Sequence, residues 1–121
     1  MVLVDSSVWI DHLRNGNETL ERQLHALQVA THHFIVGELA LGSLRARMTI
    51  LEALGNLPQI VRARDEEVLR FVEDRKLYGT GIGYVDAHLL TSVALTPGTQ
   101  LWTLDKRLRG VAGKLGLEWN A

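Results

Sequence analysis

Four carboxylates occupy positions where a folded α/β protein usually places apolar side chains or the first residue of a helix. Asp5 and Asp105 each directly follow a short apolar run, and Glu38 and Asp86 each share a helical face with apolar residues three and four positions away. A carboxylate is rarely buried unless a cation pairs with it or a proton neutralises it. Four such residues in one chain therefore indicate a shared site.

Four anionic groups cannot occupy a small volume unless they take up protons or bind cations. With oxygen ligands alone, hard divalent ions fit best, so the pattern predicts Mg²⁺, with Mn²⁺ as a substitute. The reaction most often carried out at such a site is phosphodiester hydrolysis. One ion lowers the pKa of the attacking water, and a second, about 4 Å away, stabilises the leaving oxygen. No side-chain nucleophile is then needed, which agrees with a chain that has no cysteine.

Each of these carboxylates also has an ordinary structural explanation. Asp5 and Asp105 could each cap the helix that follows. Asp86 could be an acid of a first helical turn, where the helix dipole favours it. Glu38 could form an ion pair with Arg45 or Arg47. The interpretation as a site therefore depends on whether the fold brings the four side chains together.

The sequence as a whole predicts an α/β domain with a mainly parallel sheet, because short apolar runs alternate with amphipathic helices. The predicted strands are residues 2–4, 57–61, 101–104 and 117–119, with an irregular or strand-like segment at 29–33. The first helix ends at the turn formed by residues 15–17, and later helices are predicted at 20–27, 34–44, 48–54, 65–77, 85–95 and 108–115. The carboxyl ends of parallel strands share one edge of a sheet, where Asp5 and Asp105 would lie.

The length of 121 residues predicts a single domain, 1–121, that can fold without disulfides. No apolar run reaches membrane-spanning length and no secretion signal is recognisable, so we expect a cytoplasmic protein. The net charge of −1 does not by itself indicate a nucleic-acid partner. Lys106 and Arg107 nevertheless follow Asp105 directly, and together with Arg45 they are candidates for contacts with RNA phosphates.

Four motifs in this order resemble those of the PIN-domain nucleases, and more narrowly those of the VapC ribonuclease toxins of bacterial toxin–antitoxin pairs. The motifs are Val2-Leu3-Val4-Asp5-Ser6-Ser7-Val8-Trp9-Ile10, Gly37-Glu38-Leu39, Tyr84-Val85-Asp86-Ala87 and Leu101-Trp102-Thr103-Leu104-Asp105-Lys106. Any one of these segments would be a weak signal, but their combination is specific. The resemblance runs from residue 2 to about residue 118 and so covers essentially the whole chain.

The resemblance implies a three-layer PIN-like fold, with a short central sheet flanked by helices, and a Mg²⁺ site held by the four carboxylates. Asp5 and Asp86 would touch the ion directly, while Glu38 and Asp105 would complete the acidic set. Ser7 would orient a ligand or a metal-bound water, and Thr103 matches a similarly placed hydroxyl.

The resemblance also implies partners. An RNA substrate is expected, such as a tRNA or an rRNA, cut to leave a 3′-hydroxyl and a 5′-phosphate. A small cognate antitoxin protein would hold the enzyme inactive, and the chain would form a homodimer.

A different function remains open from the residues alone: a non-catalytic α/β module, similar to a receiver domain, that binds a metal ion or a basic partner. Lys106 beside an acidic pocket agrees with a receiver, but the paired acids that receivers carry after the first strand are not evident. A haloacid-type phosphatase would require Asp-x-Asp where this chain has Asp5-Ser6-Ser7. RNA cleavage separates the nuclease from these alternatives.

Overall fold

The computed structural model describes residues 1–120, and Ala121, the last residue of the predicted domain, lies outside them. The described part contains three strands and seven helices. In chain order they are β1 (Val2–Val4), α1 (Ser6–Asn15), α2 (Glu18–His25), β2 (Val29–Ala30), α3 (His33–Ala40), α4 (Arg47–Gly55), α5 (Asp65–Asp74), α6 (Tyr84–Ala94), β3 (Gln100–Trp102) and α7 (Lys106–Lys114). This is the α/β architecture that the sequence predicts.

The three strands form one parallel sheet in the order β2-β1-β3. All three residues of β1 are buried, as expected for a central strand that helices cover on both faces. Leu3 pairs with Ala30 on one side and with Leu101 on the other. Burial of each such Leu or Val side chain contributes about 1.5–3 kcal/mol to folding.

The position of β1 decides where polar side chains can gather. The chain leaves β1 for β2 on one side of the sheet and later returns to β3 on the other side. A change of direction of this kind leaves a crevice at the carboxyl end of the central strand. Asp5 is the residue that follows β1, so it lies at this crevice.

Helix α6 is the most buried helix of the described residues. It packs against α5 and β3, and seven of its 11 residues are buried. The face that carries His88, Thr91 and Ser92 is therefore interior as well, although these residues are polar. No helix among residues 1–120 is long and apolar enough to cross a membrane.

Several predicted elements are shorter than expected: the helix predicted at 65–77 ends at Asp74, and the strands near 29–33 and 101–104 end at Ala30 and Trp102. The helix predicted at 34–44 ends at Ala40, where Arg47 donates two hydrogen bonds to the Ala40 carbonyl from the far side of the loop. The strands predicted at 57–61 and 117–119 are reduced to single bridges, Thr31 with Gln59 and Leu101 with Glu118. Pro58 has no N–H to donate, so a regular ladder at that edge would be incomplete.

Two residues that were predicted to face the interior are exposed. Leu27 has a positive φ of 57° beyond the end of α2 and is 81% exposed, so the buried face of that helix ends earlier. Glu38 does not interrupt the buried stripe of α3, because Ile35 and Leu39 form that stripe and Glu38 lies on the exposed side beside it. The prediction that Glu38 faces the core is therefore wrong.

Candidate active site

Asp5 is the only carboxylate that is buried in the described part of the chain, at 7% exposure. Its backbone N–H donates to the Trp102 carbonyl, which extends the pairing of β1 with β3 by one residue. Its Oδ2 accepts hydrogen bonds of 2.8 Å from the hydroxyls of Ser7 and Thr103. Asp5 is thus fixed by both of the chain segments that meet at the crevice.

The protons of the two hydroxyls can be assigned from this geometry. Ser7 Oγ accepts from the Leu104 N–H, and Thr103 Oγ1 accepts from the Asp105 N–H. Each hydroxyl has one proton, and each donates it to Asp5. The 3.3 Å approach of the two hydroxyl oxygens is therefore a contact without a hydrogen bond. No hydrogen bond from residues 1–120 reaches Asp5 Oδ1, which leaves that oxygen free for another ligand.

Asp105 directly precedes α7 and caps it. Its Oδ1 accepts a 3.0 Å hydrogen bond from the Leu108 N–H, and the residue has the extended backbone typical of an N-cap. The ordinary structural explanation for this residue is thus correct. It does not exclude a second role, because the cap uses one carboxylate oxygen and Asp105 is exposed.

Glu38 and Asp86 are brought to Asp5 by α3 and by the first turn of α6. Partial desolvation raises the pKa of Glu38, and the negative charges of Asp5 and Asp86 raise it further, while a hydrogen bond with Ser6 opposes them. Desolvation also raises the pKa of Asp86, the Gly83 backbone N–H lowers it, and the charges of Asp5 and Asp105 raise it. The charges of Asp5 and Asp86 therefore reach Glu38, and those of Asp5 and Asp105 reach Asp86, so each of the four predicted carboxylates interacts with at least one other.

None of the four carboxylates has a basic partner among residues 1–120. The ion pairs of that part of the chain are Arg64 with Glu66 and Glu67, and Arg109 with Glu118. The predicted alternative of an ion pair between Glu38 and Arg45 is thus absent from the described residues. Hydrogen bonds from hydroxyl and backbone groups offset part of the negative charge, but no basic side chain of residues 1–120 neutralises it.

The residues at the crevice fit a hard divalent cation in their chemistry. All donors are oxygens, and a cation would relieve the repulsion that raises the pKa values of Glu38 and Asp86. As placed, however, no group of three or more Asp, Glu or His side chains within residues 1–120 is arranged so that it could hold an ion. The carboxylates interact electrostatically, but they would have to move closer together before they could bind one ion in common.

The three predicted RNA-binding residues lie in two places. Lys106 and Arg107 begin α7 beside Asp105. The Arg107 side chain packs on Gly81, whose φ of +86° and lack of a Cβ leave room for it. Arg45 instead lines a groove with residues of α1, such as Leu13, and none of the residues that line this groove belongs to α7.

The sequence analysis did not identify a role for His32, which positions the helix that carries Glu38. His32 is 1% exposed, and its Nδ1 accepts from the Phe34 N–H as the N-cap of α3. Its Nε2 lies 3.1 Å from Ser92 Oγ on α6. Burial lowers the pKa of His32 to about 4, helped by His88 and nearby arginine charge. A polar residue just before a helix is a recognisable cap signal, but histidine is an unusual one.

Comparison with known proteins places this site in a family context. A sequence profile described as the PIN domain matches residues 2–114. Two curated relatives, both called Ribonuclease VapC32, come from the Mycobacterium tuberculosis strains CDC 1551 / Oshkosh and ATCC 25618 / H37Rv. Each is 46% identical over 117 residues, which span 97% of this chain and 94% of the relative.

Proposed function

The chain belongs to the PIN-domain family, and on this basis we propose that it is a Mg²⁺-dependent endoribonuclease that hydrolyses RNA phosphodiester bonds with water as the nucleophile. The likeness to a ribonuclease over nearly the full length of both chains supports the reaction class. The observation that carries the proposal is the set of four carboxylates at one sheet edge, where desolvation and the neighbouring carboxylate charges raise the pKa values of Glu38 and Asp86 and no member has a basic partner within residues 1–120.

In this proposal Asp5 and Asp86 hold the ion directly, and Glu38 and Asp105 complete the acidic set. Bound Mg²⁺ supplies Lewis acidity, which lowers the pKa of a water and offsets charge on the phosphate. Ser7 and Thr103 position Asp5 by donating to Oδ2, and Oδ1 would then be available to hold the ion. Of the two roles expected for Ser7, this is the orientation of a ligand and not of a metal-bound water, because its single proton is already given to Asp5.

Glu38 is the residue best suited to take a proton from the attacking water. Its pKa is raised, and its side chain is exposed rather than packed in the core. A general base works best when its pKa approaches the operating pH. Asp86 also has a raised pKa, but in this proposal it would hold the ion directly.

The test is cleavage of RNA by the purified chain with Mg²⁺ or Mn²⁺ and with excess chelator. Asp5→Asn and Asp86→Asn keep the side-chain shape but remove the charge, so each should abolish cleavage. Asp74→Asn, at the exposed end of α5, is the matched control and should cleave like the unmodified protein. Cleavage that persists in chelator, or in both site variants, would contradict the proposal. Metal binding without any cleavage would favour the non-catalytic module.

We further propose, from the likeness to VapC ribonucleases alone, that the protein is the toxin of a toxin–antitoxin pair and forms a homodimer. A small antitoxin would then cover the acidic edge. Co-expression with the product of the neighbouring small reading frame should relieve growth arrest, and the two proteins should co-purify. If neither occurs, the protein is a nuclease without such a partner.

A further inference from the structure

A groove lined by basic side chains lies between the turn that follows α5 and the exposed side of α7. Its volume is about 450 Å³, and its cationic lining residues are Arg75, Lys76, Lys106, Arg107 and Lys114. No Asp or Glu of residues 1–120 lines it. We refer to these five residues and the space between them as the basic groove.

The charge of the basic groove is unusual for this protein. The whole chain has a net charge of −1 and 13 Lys and Arg residues, so five of its 13 cations lie in one groove. None of the five belongs to an ion pair within residues 1–120. Unpaired cations gathered on one surface repel one another, and a polyanion relieves that repulsion while releasing its own counterions.

The basic groove opens beside the acidic edge. Lys106 directly follows Asp105. Arg107 lies against Gly81, in the loop that leads to Asp86, so a Cβ at position 81 would meet its guanidinium at 3.1 Å. The groove and the acidic edge are therefore connected through Lys106 and Arg107, so a strand whose phosphate is held at the acidic edge meets these two cations first.

The turn after α5 also presents an aromatic ring. Tyr78 is 62% exposed and lies between Leu77 and Gly79, both of which line the groove. The turn is ordered rather than loose: the Leu77 N–H donates to the Val72 carbonyl, and Thr80 Oγ1 donates to the Leu77 carbonyl at 2.6 Å. Tyr78 does not itself line the groove, but an exposed aromatic ring beside a cationic groove is the combination that binds unpaired nucleic-acid bases by stacking.

We infer that the basic groove binds the sugar-phosphate backbone of an unpaired RNA segment that extends from the scissile bond, and that Tyr78 stacks on one of its bases. The inference rests on the proposed ribonuclease function and names the form of RNA the site takes. An acidic peptide would use the same cations but gains little from a planar ring, so Tyr78 favours RNA as the occupant.

The experiment measures binding of a fluorescein-labelled single-stranded RNA of twenty nucleotides by anisotropy, with the full-length Asp86→Asn protein in chelator so that RNA is not cut. Arg75→Ala with Lys114→Ala should weaken binding at least tenfold and reduce the slope of log affinity against log salt by about 1.4, because each phosphate contact contributes about 0.7. The matched control, Arg22→Ala with Arg70→Ala, removes the same charge from exposed positions outside the groove and should change neither.

Two further variants guard against loss of folding. Arg75 lies 5.4 Å from the Phe71 ring centre, so its removal also affects packing, whereas Lys114→Ala alone does not. Lys76 has a positive φ of 55°, so Lys76→Asn removes its charge with a residue that tolerates this conformation. Each single variant should weaken binding about threefold to tenfold with an unchanged melting temperature.

Tyr78 separates RNA from an acidic peptide. Tyr78→Leu should weaken RNA binding about fivefold or more, and Tyr78→Phe should restore it, because stacking needs the ring and not the hydroxyl. Groove variants that bind RNA like the control would overturn the inference. The inference would also be overturned if a polyglutamate peptide displaced the labelled RNA as well as unlabelled RNA does and if Tyr78→Leu bound RNA like the unmodified protein. The groove would then suit an acidic protein. The binding assay contains chelator and no metal ion, so its result can be interpreted even if the protein shows no metal-dependent cleavage.

Discussion

Replacement of Thr103 by valine tests whether the hydroxyl network around Asp5 has the importance that its geometry implies. Valine has nearly the same shape as threonine but lacks the hydroxyl. At 2% exposure, Thr103 has no access to water that could replace the lost hydrogen bonds. The substitution therefore removes the 2.8 Å donor to Asp5 Oδ2 and the acceptor for the Asp105 N–H at once.

The expected loss of stability follows from these two bonds. A hydrogen bond to a charged group contributes about 1.5–3 kcal/mol, and a buried group left without a partner costs about 1–3 kcal/mol. The additional methyl group of valine offsets part of this, so we expect Thr103→Val to lower the free energy of unfolding by about 3 kcal/mol. For a chain of 121 residues this corresponds to a fall in melting temperature of roughly 10 °C.

Thr103→Ser is the matched control, because it keeps the hydroxyl and removes one buried methyl group. It should cost only about 1 kcal/mol. The assays are urea unfolding for stability and the Mg²⁺ concentration that gives half-maximal RNA cleavage. Since partners that orient a metal ligand typically change affinity by about 10–100-fold, Thr103→Val should raise that concentration at least tenfold. A valine variant that is as stable as the serine variant, with the same Mg²⁺ requirement, would refute the assignment.

Three other predictions follow from the same site. Glu38 and Asp86 have raised pKa values, so the native state holds their protons more tightly than the unfolded state does. In chelator, the free energy of unfolding should therefore fall as the pH rises above about 4. Urea unfolding of Glu38→Gln and Asp86→Asn should show a weaker dependence on pH in this range. Asp105→Asn should keep the cap of α7 and stay within about 0.5 kcal/mol of the unmodified protein while losing cleavage, whereas Asp105→Ala should also lose about 1 kcal/mol. His32 should remain neutral down to a pH of about 4 in an NMR titration. An unfolded histidine takes up its proton near pH 6.5, so the stability that neutral His32 contributes to the native state should be lost as the pH falls from 6.5 to 4.

The parts of the fold that the sequence predicted well are those set by neighbours along the chain. The strand at 2–4, the turn that ends α1, the acidic start of α5 and the helix that begins near Asp86 all lie where the pattern of apolar, turn and capping residues predicted them. Asp105 was weighed as an N-cap from its distance to Leu108, and that hydrogen bond is present. Such features depend on residues three or four positions apart, which a sequence displays directly.

The predictions that failed concern partners that the sequence does not place nearby. Glu38 was assigned to the buried face of its helix because Phe34, Ile35, Leu41 and Gly42 lie three or four positions from it. Of these four only Ile35 is buried, Leu41 is 91% exposed, and the buried stripe continues through Leu39. Apolar residues at helical spacing can define more than one face of a helix. Which face is buried depends on the sheet and helices that pack against it. The strand predicted at 57–61 failed for the same reason, since a strand needs a partner along its length.

The sequence by itself determined the identity of the four carboxylates, the junctions of strand, acid and helix that present two of them, and the family to which the chain belongs. Only the tertiary structure decided how they are held: Thr103 reaches Asp5 across 98 residues of chain, and His32 reaches Ser92 across 60. It also brought Lys114 of α7 into one groove with the turn after α5. Contacts at these separations arise from the pairing of parallel strands and the packing of helices on them, and no local periodicity encodes that pairing.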